Sequence, residues 1–142
     1  MRKIYESSEY EEFYNSLDDD AKEKVKYILQ IITSEMVVNS KFVKKLVNTP
    51  YYELRISLGN EYRVILFTIN EIAFIRATEV YLLNGFMKKS TKDYKKQLRI
   101  ADRILEKLLS DDTEENGKEQ DGKQEQEQND NSKEKTDGNE NI

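Results

Sequence analysis

The sequence predicts an α+β domain with a small antiparallel β-sheet, two N-terminal helices and one C-terminal helix. Two stretches with apolar residues at helical spacing come first, three strand-like stretches separated by short turns follow, and a third helical pattern comes last. This order is typical of helices packed mainly on one face of an antiparallel sheet.

The N-terminal part predicts a short strand followed by two helices. Residues 2–5 are the strand, and Ser8 with Glu11 matches a capping box that begins the first helix. The aspartates at residues 18–20 supply a cap and negative charge at the start of the second helix, which is expected to end near Glu35. Its apolar face consists of Val25, Ile28, Leu29 and Ile32.

The C-terminal part predicts three strands and one helix after a connection that ends at Pro50. The strands are expected at residues 51–57, 61–69 and 72–86, and the helix at residues 91–109. Leu58, Gly59 and Asn60 form a hairpin loop between the first two strands, because Gly suits a tight turn. The third strand is expected to break near residues 76–79. The apolar stripe of the helix consists of Tyr94, Leu98, Ala101, Leu105 and Leu108.

Charge divides the chain into two parts. The 142 residues have a net charge of −5, but residues 1–110 hold 19 Lys and Arg against 16 Asp and Glu, a net charge of +3. Residues 111–142 hold 4 Lys against 12 Asp and Glu, and their one apolar residue is Ile142. Such a segment cannot bury enough apolar surface to offset its ordering entropy. We therefore expect a domain at residues 1–110 and a disordered acidic tail of low complexity at residues 111–142.

The residue types that are missing limit the chemistry. The sequence has no Cys, His or Trp, which excludes disulfides and Cys-based zinc sites and removes the commonest general base. We therefore expect no metal and no cofactor, and any catalysis must use Lys, Arg, Tyr or carboxylates. No apolar run approaches the roughly 20 residues that span a bilayer, and the N-terminus lacks the apolar region of a signal peptide. The expected location is the cytoplasm, without a membrane partner.

The predicted hairpin places two arginines opposite each other. A three-residue loop puts Arg55 directly across from Arg63 on one face of the sheet, where like charges are destabilising unless something neutralises them. A phosphate is one candidate, because it matches the fork of a guanidinium. The alternative is that Glu53 and Glu61, two residues away on the same face, form a neutral surface charge network of little energetic worth.

Further candidates lie on either side of the hairpin. Lys88 and Lys89 follow the apolar strand YLLNGF, where they either bind a phosphate or protect the sheet edge. Lys44 and Lys45 precede the hairpin and either contact RNA or belong to a solvated turn. Tyr94 either packs in the core or serves the site by stacking on a base or donating a proton.

Taken together, these segments resemble a known family. The pattern FVKKL, YYELR, EYRV, LLNGFMKKS and KDYKK between Lys41 and Leu108 is similar to the HigB-like, phage-derived branch of the RelE/ParE toxin superfamily. The resemblance implies a small α/β protein with a curved antiparallel sheet. It also implies a toxin of a type II toxin–antitoxin system that cleaves mRNA, usually inside the ribosome, and is held inactive by a cognate antitoxin.

The resemblance also assigns roles to the candidate residues. Arg55 and Arg63 match the basic residues of the family's central hairpin, and Lys88 or Lys89 matches the basic position after the last central strand. Tyr94 matches a C-terminal tyrosine of RelE-like members. At the position of Glu53 some RelE-like members carry a basic residue, which is a departure from their pattern.

The predicted function is that of a metal-independent endoribonuclease in which the 2′-OH attacks the adjacent phosphate. Arg55 and Arg63 would stabilise the phosphate, Lys88 or Lys89 would accept the 2′-OH proton, and Tyr94 would stack on a base or protonate the leaving group. The expected partners are a cognate helix-turn-helix antitoxin, the ribosome and mRNA. The alternatives are a ParE-like toxin that binds gyrase and an inactive member that serves only as an antitoxin-binding regulator.

Overall fold

The computed structural model describes residues 1–121, with side chains described for residues 1–110. Residues 1–104 form one compact unit, which contains all the candidate site residues. The elements are β1 (Lys3–Glu6), α1 (Ser8–Asn15), α2 (Asp19–Ser34), β2 (Val43–Lys45), β3 (Tyr51–Leu58), β4 (Asn60–Thr68), β5 (Glu79–Met87) and α3 (Asp93–Asp121). None of the helices in these residues is long and apolar enough to cross a membrane.

The predicted α+β class is confirmed, but the sheet is mixed rather than antiparallel. Its five strands lie in the order β1-β5-β4-β3-β2, and all neighbours are antiparallel except β1 and β5. Strand β2 lies inside the predicted connection and pairs with β3. A strand of three residues is too short to show alternation, and a parallel partner leaves no signal in the local sequence.

The first helix begins differently from the prediction. The N-cap is Ser7 rather than Ser8, because the Ser7 hydroxyl accepts the backbone N–H of Tyr10 at 2.9 Å. The same hydroxyl donates to the backbone carbonyl of Leu83. This tertiary contact explains why Ser7, and not the adjacent Ser8, is the N-cap. The second helix begins as predicted, with Asp18 accepting the backbone N–H of Ala21 at 2.8 Å.

Helices α1 and α2 cover one face of the sheet. Alternate residues of β3 and β4 point into this core, which contains Tyr10, Ala21, Val25, Ile28, Ile32, Leu54, Ile56, Tyr62, Val64 and Leu66. The ring of Phe13 on α1 crosses β5 at Gly85, where an added Cβ would lie 2.3 Å from a ring carbon. A glycine is therefore required for this close approach.

Helix α3 covers the opposite face, so the expectation that the helices lie mainly on one face holds for α1 and α2 but not for α3. The side chain of Asn84 donates to the backbone carbonyl of Gln97 at 3.1 Å, and the Tyr51 hydroxyl donates to the carboxylate of Asp102 at 2.6 Å. Ala101 of α3 is fully buried. The central strands are therefore buried on both faces. The polar residues Glu53 and Arg63 lie on the face that α3 covers.

The C-terminal helix is longer than predicted. It continues through residues 111–121, the first part of the predicted tail, because an existing helix needs no new nucleus. The remainder of the predicted tail, residues 122–142, lies outside the described residues. The expected break in the third predicted strand corresponds to a 3₁₀ turn at Phe74–Arg76, after which β5 begins.

Candidate functional site

The hairpin has the predicted register. Arg55 lies directly opposite Arg63, Ser57 opposite Glu61, and Glu53 opposite Ile65. Gly59 forms the turn with a φ of 72°, a conformation that glycine adopts without steric cost. The two guanidinium groups therefore belong to one paired row of the sheet.

The two arginines differ in exposure. The side chain of Arg63 is 4% exposed, whereas that of Arg55 is 32% exposed. The Nη1 of Arg63 donates to the Glu61 carboxylate at 3.0 Å and to the backbone carbonyl of Tyr62 at 2.9 Å. Arg63 is therefore a buried and fixed cation, and Arg55 is the more exposed guanidinium of the pair.

Glu53 is the common partner of both arginines. Its carboxylate lies 3.4 Å from the Nε of Arg63 and 3.6 Å from the Nε of Arg55, and its side chain is 5% exposed. The alternative prediction of a charge network therefore describes the contacts correctly. It is wrong about the place of two of the four side chains, because Glu53 and Arg63 are buried.

Tyr94 joins this cluster from the first turn of α3. Its hydroxyl donates to the Glu53 carboxylate and accepts a hydrogen bond from the Nε of Arg63 at 3.2 Å. Its ring packs edge-on against Phe86 with the centroids 5.5 Å apart. Burial and the contact with Glu53 raise the pKa of Tyr94 to about 12, so the phenol is protonated at neutral pH. Tyr94 can donate a proton there but cannot act as a phenolate base.

The charges of the remaining members are also fixed. Hydrogen bonds from Ser57 and Arg63 lower the pKa of Glu61, which makes this carboxylate a weak base. Burial by itself would lower the pKa of Arg63, but the hydrogen bonds to Glu61 and Tyr94 and the charge of Glu53 outweigh it and raise that pKa. The site therefore holds a permanent cation beside a protonated phenol.

The predicted lysines after β5 lie next to the cluster. The backbone N–H of Lys88 donates to the carbonyl of Glu61 at 2.7 Å, which holds the strand end beside the hairpin. The carboxylate of Asp93 accepts the backbone N–H groups of Lys89 and Ser90 at 2.7 and 3.0 Å. These contacts lower the pKa of Asp93 and fix the loop between β5 and α3.

The two predicted RNA-binding lysines lie on different faces of the sheet. Lys44 pairs with Glu53 across β2 and β3, so it borders the cluster. Lys45 points to the other face, where its ammonium group donates to the backbone carbonyls of Leu46 and Thr49. The structure therefore brings Lys44 to the site but not Lys45.

Glu53 has a larger role than the predicted surface network gives it. Its position two residues before Arg55 predicts that both side chains lie on the same face, but it does not predict that Glu53 is buried. Its burial depends on α3, which approaches from far along the chain, and no local pattern indicates that contact.

The comparison with family models agrees with the resemblance found in the sequence. A family model described as "Phage derived protein Gp49-like" matches residues 12–106, which include every candidate residue. In structure, the chain is similar to the isolated RelE toxin of E. coli, with a TM-score of 0.46 and 14% identity over 70% of this chain and 97% of that chain. A search of curated protein sequences gave no match. The chain therefore belongs to the phage-derived Gp49-like family of RelE-like toxins of toxin–antitoxin systems, as the resemblance predicted.

Proposed function

We propose that this toxin is a ribosome-dependent endoribonuclease that cleaves mRNA by attack of a 2′-OH on the adjacent phosphate. The observation that best supports this proposal is the convergence of two opposed guanidinium groups and a protonated phenol on one face of the sheet. Guanidinium groups bind phosphate through paired hydrogen bonds. A phenol beside them supplies a proton to a departing oxygen.

Each step of the reaction has a candidate group. Arg55, the more exposed guanidinium, would contact the scissile phosphate, and Arg63 would contribute fixed positive charge as negative charge develops. Lys88 or Lys89, beside the hairpin, would accept the 2′-OH proton. Tyr94 would protonate the 5′-oxygen that leaves.

The ribosome fits this chemistry as a positioning partner. The chain has no His, so it lacks the side chain that is the most frequent general base near neutral pH. Holding the mRNA in a reactive geometry supplies part of the missing rate, because well-oriented reactants gain several kcal/mol. We therefore propose that free RNA is cleaved slowly and ribosome-bound mRNA rapidly.

The test compares Arg55→Ala and Arg63→Ala with Arg76→Ala as the matched control. Arg76 is an arginine with a 73% exposed side chain, 3.8 Å from Glu71 and outside the cluster. Each variant is expressed under tight control while growth and mRNA 5′ ends are measured. We expect the wild type and the control to arrest growth with new mRNA ends, and both site variants to lose the ends.

The other outcomes decide between the remaining functions. Toxicity and mRNA ends that survive both site substitutions would exclude these arginines from catalysis. Growth arrest with intact mRNA would instead indicate a protein target such as gyrase. The absence of any arrest by the wild type would indicate an inactive member that only binds an antitoxin.

The antitoxin partner is expected to be encoded next to this chain and to carry a helix-turn-helix DNA-binding domain. Co-expression of the adjacent open reading frame provides the test. We expect it to restore growth and to co-purify with the chain. A neighbouring product that does neither would exclude it as the antitoxin.

A further inference from the structure

Helix α3 carries a row of cations on its outer side. Lys95, Lys96, Arg99 and Arg103, called the basic stripe below, are all exposed. At 3.6 residues per turn they fall within an arc of about 100°. The opposite side of the helix packs against the sheet through residues such as Gln97 and Ala101. The packing of α3 therefore fixes the direction in which the stripe points.

The acidic residues of this segment do not neutralise the stripe. The Asp93 carboxylate binds the backbone N–H groups of Lys89 and Ser90, and the Asp102 carboxylate accepts a hydrogen bond from Tyr51. Among the described side chains, none of the ion pairs involves a stripe residue. The stripe therefore presents uncompensated positive charge to solvent in the part of the chain that is described.

The excess positive charge of the domain is concentrated here. Residues 88–103 hold seven Lys and Arg and two Asp, a net charge of +5, so the rest of residues 1–110 has a net charge of −2. A helix face that is merely solvated usually mixes both signs. Between residues 94 and 101 the outer side of α3 instead carries charges of one sign, while the remainder of the domain is slightly acidic.

We infer that the basic stripe is a binding surface for the phosphate backbone of RNA, along which the strand reaches the Arg55 and Arg63 site. This inference rests on the proposed nuclease function. The stripe begins at Lys95, next to Tyr94, whose hydroxyl contacts that site. Lys88 and Lys89 belong to the loop that joins β5 to α3 beside the hairpin. A row of cations without base-reading groups binds RNA with little sequence preference.

The chemistry of the stripe favours RNA over a protein partner. Protein interfaces have an apolar or aromatic centre. Among the described residues, none of the large apolar side chains that are exposed lies between residues 88 and 103. Charge without apolar area is typical of contacts with phosphates.

The test compares two triple variants of the full chain that remove equal charge. The stripe variant carries Lys96→Gln, Arg99→Gln and Arg103→Gln. The control carries Lys22→Gln, Lys24→Gln and Lys26→Gln, all on α2, which packs on the other face of the sheet. Circular dichroism and urea midpoints matching the wild type establish that both variants are folded. A variant that fails this check is replaced by the single Arg99→Gln and Lys26→Gln substitutions.

The probe is a fluorescein-labelled 20-nucleotide RNA with 2′-O-methyl groups throughout, which binds but cannot react through a 2′-OH. Anisotropy gives the association constant over a range of KCl concentrations. We expect the slope of log K against log[KCl] to fall in magnitude by about 2 in the stripe variant, from about 0.7 for each of three lost contacts. We also expect at least a tenfold loss of affinity at low salt, and less than a threefold loss in the control.

Two results would overturn the inference. The first is an equal loss of RNA affinity in both variants, which would indicate a general effect of net charge. The second is unchanged RNA affinity with weakened binding of poly-L-glutamate in the stripe variant alone, which would assign the stripe to an acidic protein. Because the probe cannot be cleaved, a failure of RNA binding at the stripe is separate from a failure of the Arg55 and Arg63 cleavage test.

Discussion

The substitution Glu53→Gln tests whether one buried carboxylate holds the site together. It keeps the size of the side chain but removes the charge that lies 3.4 Å from Arg63 and 3.6 Å from Arg55. Arg63, with a 4% exposed side chain, then faces Arg55 without its central counter-ion. Like charges directly opposite on a sheet repel each other, and burial reduces the screening by solvent.

The expected loss of stability follows from the contacts that remain. Removing one partner of a buried ion pair typically costs 3–5 kcal/mol. Glu61 still lies 3.0 Å from Arg63, and the new amide still accepts the Tyr94 hydrogen bond, so the lower end applies. We expect Glu53→Gln to lower the free energy of unfolding by about 3 kcal/mol, which lowers the urea midpoint by about 2 M at a slope of about 1.5 kcal/mol/M.

The matched control is Glu61→Gln, which removes the same charge from the same arginine. The side chain of Glu61 is 46% exposed, so its pair with Arg63 is worth below about 1 kcal/mol. Urea unfolding followed by circular dichroism compares the two variants. Equal losses of unfolding free energy in the two variants would refute the claim that Glu53 contributes more than Glu61 because it is buried. The double variant Glu53→Gln, Arg55→Gln should regain part of the loss, because it also removes the repulsion.

Two further predictions concern the phenol and the helix contact. The pKa of Tyr94 is raised from 10 to about 12, so the folded state holds this proton more tightly than the unfolded state. The stability this contributes is fully present below pH 10 and is lost as the pH rises toward 12. Unfolding measured between pH 9 and about 12 should therefore show a smaller alkaline loss in Tyr94→Phe, and equal curves would contradict the assignment. Gly85→Ala places a methyl group 2.3 Å from the Phe13 ring and should lower the free energy of unfolding in urea by about 1–3 kcal/mol. Adding Phe13→Leu should restore part of this lost stability. If it restores none, the clash lies elsewhere.

The register of the hairpin, meaning which residues of β3 and β4 lie opposite each other, is predicted correctly from the sequence. The turn at Gly59 fixes the loop length, and the loop length fixes which residues face each other. The sequence alone therefore predicts that Arg55 lies opposite Arg63. Helices α1 and α2 were also found, since their apolar spacing and the cap at Asp18 are local signals.

The features that the sequence missed depend on contacts between distant segments. The burial of Glu53 and Arg63 requires α3 to cross the second face of the sheet, and a strand pattern does not indicate what covers each face. The cap at Ser7 depends on the carbonyl of Leu83. The parallel pairing of β1 with β5 joins the strands that come first and last along the chain. Local periodicity contains none of this information.

The charge network and the phosphate site are compatible interpretations of the same residues. Two opposed guanidinium groups under a helix need a counter-ion whenever no ligand is bound, and the Glu53 carboxylate supplies it. In the proposed function an RNA phosphate must compete with that carboxylate, so the site alone would bind phosphate weakly. Additional attraction must then come from outside the cluster, and the cations between residues 88 and 103 are the largest source in the domain. A toxin built this way would depend on an extended RNA contact, or on the ribosome, to expose its arginines to the substrate.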